Sequence, residues 1–269
     1  MTDLDAVTAL VEEVARTVVA PRFRHLAESD VSEKAPGDLV TVVDQEAEVA
    51  LTRGLTELTP GVPVVGEEAV AADPRILDAV TGAPRAWVVD PVDGTRAFVE
   101  GIGDYAVMVG LVDDGEAVAG WICLPEHGTT YVAERGSGAY LSGRRLTRPA
   151  PDSRPRAQIA TRYLPRRVRR RILEGIETST DHQIAPAESL WSGREYSRLA
   201  TGEIDAMVSW RTWPWDHVPG VVLMREVGGV ARRLDGSPYR PGTPADGLIN
   251  AADEDTFDKV RTTLGLAPS

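Results

Sequence analysis

An unbroken apolar run, Ala86-Trp87-Val88-Val89, passes directly into Asp90-Pro91-Val92-Asp93-Gly94-Thr95, and this junction constrains the fold more than any other stretch of the chain. A short apolar run bounded by turn formers suits a strand buried on both faces, the kind that helices cover in a layered α/β protein. Two carboxylates then emerge at the carboxyl end of that strand, where the loops of such sheets commonly carry a ligand. The fold must hold an acidic pair at the rim of its core.

Carboxylates alone suit a hard cation, and Mg²⁺ in particular takes oxygen ligands while keeping water or substrate phosphate in its shell. Gly94 permits a tight turn, and Thr95 at a helix start would leave free N–H groups for an anion, so both are candidate phosphate contacts. The same aspartates also suit a turn in which they bond their own backbone. An EF-hand calcium loop beginning at Asp90 is excluded, because its third, sixth and twelfth positions would be Val92, Thr95 and Gly101. A covalent aspartyl phosphatase is excluded as well, since the position of its nucleophile, two residues before Asp93, is Pro91.

Around the junction the expected elements alternate in type. Periodicity predicts a helix over 4–18, with Thr2 as its cap and Pro21 ending it. After a polar stretch at 28–38, strands are expected at 39–43, 64–65, 130–134 and 139–141, with a helix at 46–58. A hairpin within 105–124 turns at Asp113-Asp114-Gly115. Beyond Arg148 the pattern predicts strands at 157–160, 205–210, 229–234 and 248–251, and helices at 167–176, 193–201, 216–226 and 253–264. This mixture argues one compact α/β unit over residues 1–269, with a seam near 145–156.

A net charge of −12 opposes general attraction to nucleic acid or anionic lipid, and no segment reaches the roughly 18 apolar residues of a membrane span. The single cysteine, Cys123, excludes an internal disulfide and a thiolate zinc site. The first twenty residues are broken by charges and lack the form of a signal peptide. A cytoplasmic protein with a small-molecule ligand, and neither nucleic acid nor membrane as partner, is the expectation.

Three further stretches complete a pattern: Lys34-Ala35-Pro36-Gly37-Asp38-Leu39-Val40-Thr41-Val42-Val43-Asp44, then Gly66-Glu67-Glu68, and Trp215-Asp216 followed by Gly228-Gly229. With the hexapeptide, and in this order over roughly residues 1–260, they resemble the inositol monophosphatase family. The resemblance implies a layered αβαβα sandwich shared with fructose-1,6-bisphosphatase, a homodimer and inhibition by lithium. It also implies Mg²⁺-dependent hydrolysis of a small-molecule phosphomonoester by metal-activated water. Residue by residue, it implies that Glu67, Asp90 and the carbonyl of Val92 hold one Mg²⁺, and that Asp90, Asp93 and Asp216 hold a second. A third ion would lean on Glu67 through waters. Thr95 and Asp44 correspond to the pair beside the nucleophilic water, so Asp44, Thr95 and Glu67 are the candidate catalytic residues. Asp216, just before an expected helix, would otherwise serve as its N-cap.

The chain departs from the family where substrate is chosen. Counting back from Asp216, the family's small-residue stretch falls on Leu190-Trp191-Ser192-Gly193, and its sugar-binding glutamate falls on Ser209. Candidate pocket residues are therefore Lys34, Glu68, Trp191, Ser192, Gly193, Arg194, Ser209 and Arg211, with Trp210, Trp213 and Trp215 as further stacking walls or as core. Inositol phosphate, histidinol phosphate, a sugar bisphosphate and 3′-phosphoadenosine 5′-phosphate all stay open as substrates. So does a protein of the same fold that binds metal or phosphate without turnover. The eight arginines within 154–171 read as a solvated face or an anion-attracting one. His217 is the one histidine expected near the chemistry; His25, His127 and His182 read as surface or packing.

Overall fold

Asp3, rather than Thr2, caps the first helix in the computed structural model, accepting from the Ala6 N–H at 3.0 Å. The structure describes residues 2–35, 37–179, 183–187, 190–242 and 247–266, so Pro36 and His182 lie outside the described residues. Helix α1 (Leu4–Val14) buries Val7, Val11 and Val14. The path expected to continue as α-helix to residue 18 instead becomes a π turn (Ala15–Val19) and a 3-10 turn (Ala20–Arg22) containing Pro21. The polar stretch contains an unexpected strand: β1 (Val31–Ala35) pairs antiparallel with β2 (Asp38–Thr41). Neither face of this ribbon is fully buried, so no apolar alternation announces it. Thr41 then ends the strand that was expected to reach residue 43, because Thr41 and Asp44 form a capping box that opens α2 (Val42–Leu58).

Seven strands form the larger sheet, in the order β3 (Val64–Gly66), β4 (Arg85–Asp93), β5 (Ala106–Asp113), β6 (Glu116–Leu124), β7 (Thr129–Glu134), β8 (Gly138–Leu141) and β9 (Arg144–Arg145). Only β3 and β4 run parallel. Short helices α3 (Glu67–Ala72), α4 (Ala79–Gly82) and α5 (Thr95–Val99) link its first strands. The smaller sheet combines β10 (Ala157–Ala160), β11 (Ile184–Ala187), β12 (Ala206–Ser209), β13 (Val230–Arg232) and β14 (Leu248–Ala251) in the order β11-β10-β12-β14-β13. Helices α6 (Arg166–Thr178), α7 (Ser192–Thr201), α8 (Pro214–Glu226) and α9 (Glu254–Thr263) complete the chain.

Strand alternation distributes side chains between layers. Trp87, Val89, Val107, Val109 and Trp121 pack with α1 and α2, whereas Val88, Met108 and Ile122 pack with α7 and α8. Met207 and Leu248 of the smaller sheet face that same middle helical layer, while Ile159, Val208 and Ile249 face Ile172 of α6 and Phe257 of α9. The result is the expected αβαβα sandwich. Helix α8 has sheets on both sides, which is why Val218, Val221, Val222, Leu223 and Met224 are all buried. Its backbone lies so close to β6 that a Cβ on Gly120 would stand 2.4 Å from Pro219 Cα. We expect Gly120→Ala to cost about 1–3 kcal/mol through overpacking, read as a lower urea midpoint at unchanged m.

The chain crosses from one sheet to the other over residues 146–156. Buried Arg148 anchors the crossing by donating to the carbonyls of Leu199 (2.9 Å) and Ile204 (3.1 Å) and to Asp205 (2.8 Å). The other Asp205 oxygen accepts from the Arg156 N–H at 3.0 Å, so this buried charge is satisfied on both sides. Among the described residues, no helix is long and apolar enough to cross a membrane.

Candidate active site

Residues three apart on a regular strand point to opposite faces, yet Asp90 and Asp93 share one. Between them the register slips: Asp90 opposes Met108 and Asp93 opposes Ala106, so β4 carries one extra residue. This bulge turns both carboxylates toward the middle helical layer, where Met108 and Ala106 also point. There α8 begins at Pro214, two residues earlier than expected, so Asp216 lies in its first turn rather than at its N-cap, which is Trp213. Carboxylate oxygens of Asp90, Asp93 and Asp216 come within 4.8 Å of one another.

The electrostatics of this cluster are unbalanced. Burial, followed by the negative charges of Glu67, Asp93 and Asp216, holds the Asp90 carboxyl well above its usual range. Burial and then Asp93 and Glu67 do the same to Asp216. Asp93 is pushed up to about 7, again chiefly by burial, although backbone N–H groups at the start of α7 oppose the shift. Ser192 N–H reaches its Oδ1 at 3.1 Å and Gly193 N–H its Oδ2 at 2.7 Å. Asp90 Oδ1 is buried and meets no hydrogen-bond donor among the described residues. An all-oxygen donor set with an orphaned buried oxygen and crowded negative charge fits a hard divalent cation.

Folded-state pKa values raised above the unfolded ones mean that the native protein binds more protons between about pH 4 and about pH 7, so metal-free stability falls as pH rises through that window. We expect thermal melts in chelator to give a higher midpoint at about pH 5 than at about pH 8, and Mg²⁺ to recover the difference at the higher pH.

Glu67 and Glu68 open α3, and Lys34 of β1 donates to one oxygen of each at 2.7 Å. Burial pulls the Lys34 ammonium down, but the two glutamates overcome it and hold the group raised. Glu68 is pushed up to about 7 by burial against the pull of Lys34. The turn that presents both glutamates is fixed by Glu48, a residue that sequence reasoning missed. Its buried carboxylate accepts from the Glu68 and Ala69 N–H groups at 2.8 Å. Gly66 is required by that carboxylate, since a Cβ there would fall 2.2 Å from its carbon. On α2 a glutamate reads as part of the polar face, and only its burial would have betrayed it.

Thr95 Oγ1 stands 3.0 Å from the Val92 carbonyl and 3.2 Å from Asp44 Oδ1. Burial pushes the Asp44 carboxyl up to about 6, against two hydrogen bonds from Thr41 that hold its Oδ2. Asp44 thus braces α2 through one oxygen and meets Thr95 through the other.

A cleft of about 210 Å³ opens over these groups, walled by Glu67, Asp90, Val92, Asp93, Gly94, Thr95 and Asp216 together with Trp191, Ser192, Ser209 and Arg211. Gly94 adopts φ 81°, and a Cβ there would press on the Trp191 ring at 3.2 Å. Trp210 joins the wall, and Trp213 stacks on Trp215 with centroids 5.2 Å apart. Gly193 acts through its backbone, since a side chain would meet Ala106 at 2.4 Å. Arg194 requires a correction: it binds Asp104 at 3.2 Å and approaches Glu203 at 3.6 Å, and these acidic partners hold it off the cleft wall. Glu68 is likewise engaged by Lys34 and lies off the wall. His217 reaches the cleft but is buried and neutral, pushed down to about 4 by burial. Its Nε2–H donates to the Arg211 carbonyl at 2.9 Å, so Nδ1 accepts from the Tyr196 hydroxyl, also at 2.9 Å. Arg96, Arg162 and Tyr163 also line it, as do Gly37, Asp38, Leu39, Ala160 and Leu190; of these Arg162 belongs to the arginine-rich segment that read as a solvated or an anion-attracting face.

Fold and cleft together define the class: a layered α/β sandwich with an all-oxygen acidic pocket against its middle helices. The profile of the inositol monophosphatase family matches residues 3–264. Inositol-1-monophosphatase of Bacillus subtilis is 31% identical over 205 residues, 76% of each chain. Fructose-1,6-bisphosphatase/inositol-1-monophosphatase of Aquifex aeolicus is 29% identical over 225 residues, 82% of each. The solved IMPase of Thermotoga maritima shares the fold, with a TM-score of 0.78 over 97% of this chain and 96% of that one at 23% identity. The chain belongs to the inositol monophosphatase family.

Proposed function

We propose that this protein is a magnesium-dependent phosphomonoesterase acting on a small-molecule phosphate ester. The observation that carries the reading is Asp90, a buried carboxylate whose Oδ1 meets no donor among the described residues while Asp93 and Asp216 crowd it. Glu67, Asp90, Asp93, Asp216 and the carbonyl of Val92 are assigned to two or three Mg²⁺ ions. When bound, these cations supply positive charge against the phosphoryl oxygens and the leaving oxygen. The backbone at Gly94 and Thr95 is assigned to the phosphate. A threonine hydroxyl carries one proton, so Thr95 donates to Asp44 or to the Val92 carbonyl and keeps a lone pair to accept from an attacking water. That water is thereby oriented, and its proton has a route through Thr95 to Asp44. Family membership supports the same reading, and with it a homodimer, lithium sensitivity and a cytoplasmic location.

Phosphate release from a panel of inositol, sugar and nucleotide monoesters, with Mg²⁺, with chelator and with added lithium, tests the proposal. Native protein should release phosphate only with Mg²⁺, and Asp93→Asn should release almost none. Native protein that binds one of these esters but cleaves none would instead be a binding protein.

A further inference from the structure

Cleavage at the acidic floor makes no use of the arginines at the mouth of the same cleft. Tyr163, in the loop after β10, presents its ring to two of them: the guanidinium of Arg211 lies 3.6 Å from the ring centroid and that of Arg162 5.3 Å. In a chain of net charge −12, arginines such as Arg148, Arg198 and Arg232 find acidic partners. Among the described residues these two do not. Arg162 donates to the Gly37 carbonyl at 3.1 Å, and among the described residues the Arg211 guanidinium has only the Tyr163 ring as partner.

The pair is held in place from behind. The Arg211 carbonyl accepts from buried His217, and the next residue, Thr212, accepts from buried Arg233 at 2.9 Å. The Gly37 carbonyl also receives Arg96 at 3.0 Å, which ties the β1–β2 turn to this side of the cleft. Two like charges gathered on one ring repel unless an anion joins them, and pre-ordering lowers the entropy lost when it does. Ser209 puts no negative charge on the same wall, and Asp38, which also lines the cleft, pairs with neither arginine among the described residues.

We propose that the substrate carries a second anionic group, a carboxylate or a phosphate remote from the cleaved ester, and that Arg162 and Arg211 receive it. The proposal rests on the phosphatase reading and narrows its substrate class. Guanidinium forks match the paired oxygens of either group, whereas a neutral polyol leaves both arginines unanswered.

Matched substrates test it. Glycerol 3-phosphate is compared with 3-phosphoglycerate for the carboxylate, and fructose 1-phosphate with fructose 1,6-bisphosphate for the phosphate, as kcat/KM with Mg²⁺. The anionic member of at least one pair should be favoured by about tenfold or more, chiefly through KM. Arg211→Gln should bring that ratio to near one, Arg211→Lys should retain part of it, and the pair that responds identifies the group. Each ratio is taken within one preparation, so incomplete folding of a variant cancels. Ratios near one in both pairs for native protein, or a preference that survives both Arg162→Gln and Arg211→Gln, would overturn the proposal. If native protein cleaves nothing, the phosphatase reading fails on its own, and calorimetric titration with 3-phosphoglycerate and fructose 1,6-bisphosphate decides the subsite. Affinity lost about tenfold in Arg211→Gln upholds it, and equal affinity or no binding of either compound sinks it.

Discussion

Asp90→Asn is expected to give a protein that is harder to unfold without metal and nearly inactive with it. At about pH 8 and above, where the cluster ionises, the substitution removes one negative charge from a site in which burial, then Glu67, Asp93 and Asp216, raise the Asp90 carboxyl. Relieving that repulsion should raise the metal-free urea midpoint at about pH 8, at unchanged m. In the proposed arrangement the same charge would hold the cations, whose contribution to the transition state would be worth several kcal/mol. At 1.36 kcal/mol per tenfold, kcat/KM should fall on the order of 10³-fold. Urea unfolding in chelator, phosphate release and calorimetric Mg²⁺ titration read the three consequences separately. Asp44→Asn should weaken Mg²⁺ binding less, because Asp44 meets Thr95 rather than the cluster. Equal losses of Mg²⁺ affinity in the two variants would remove Asp90 from its assigned place as the shared ligand.

Thr95→Ala should lower kcat by about 10²–10⁴-fold while leaving Mg²⁺ affinity close to native. The hydroxyl is the only group joining Asp44 to the attacking water in the proposed arrangement, so Thr95→Ser should restore most of the rate. Thr95→Ala combined with Asp44→Asn should be little worse than either change alone, since two members of one relay fail together. Losses that multiply would mean that the hydroxyl and the carboxylate work independently.

Much of this arrangement was legible before the fold was seen, because its main signals are local. The apolar run into Asp90 marked a buried strand, and the order of the acidic motifs marked the layered sandwich. What stayed hidden depended on distance. The bulge that turns Asp90 and Asp93 to one face is a property of β4 against β5, and Pro91 is its one mark within β4. Lys34 meets Glu67 across 33 positions, from a ribbon whose polar sequence resembles a loop. Glu48 looks like any solvated helix residue until α3 is laid over it. Arg194 misled for the converse reason: its neighbours in sequence point to the cleft, but Asp104, 90 positions away, holds the side chain elsewhere.

The place of α8 gives the acidic cluster a mechanical meaning. Asp90 and Asp93 belong to the larger sheet, whereas Asp216 rides on a helix pressed between both sheets. A divalent ion shared among them would act as a rivet through a laminate, resisting slip of one layer over the next. Loading the site would then slow amide exchange beyond it, in β14 on the opposite side of α8, which contributes nothing to the cleft wall.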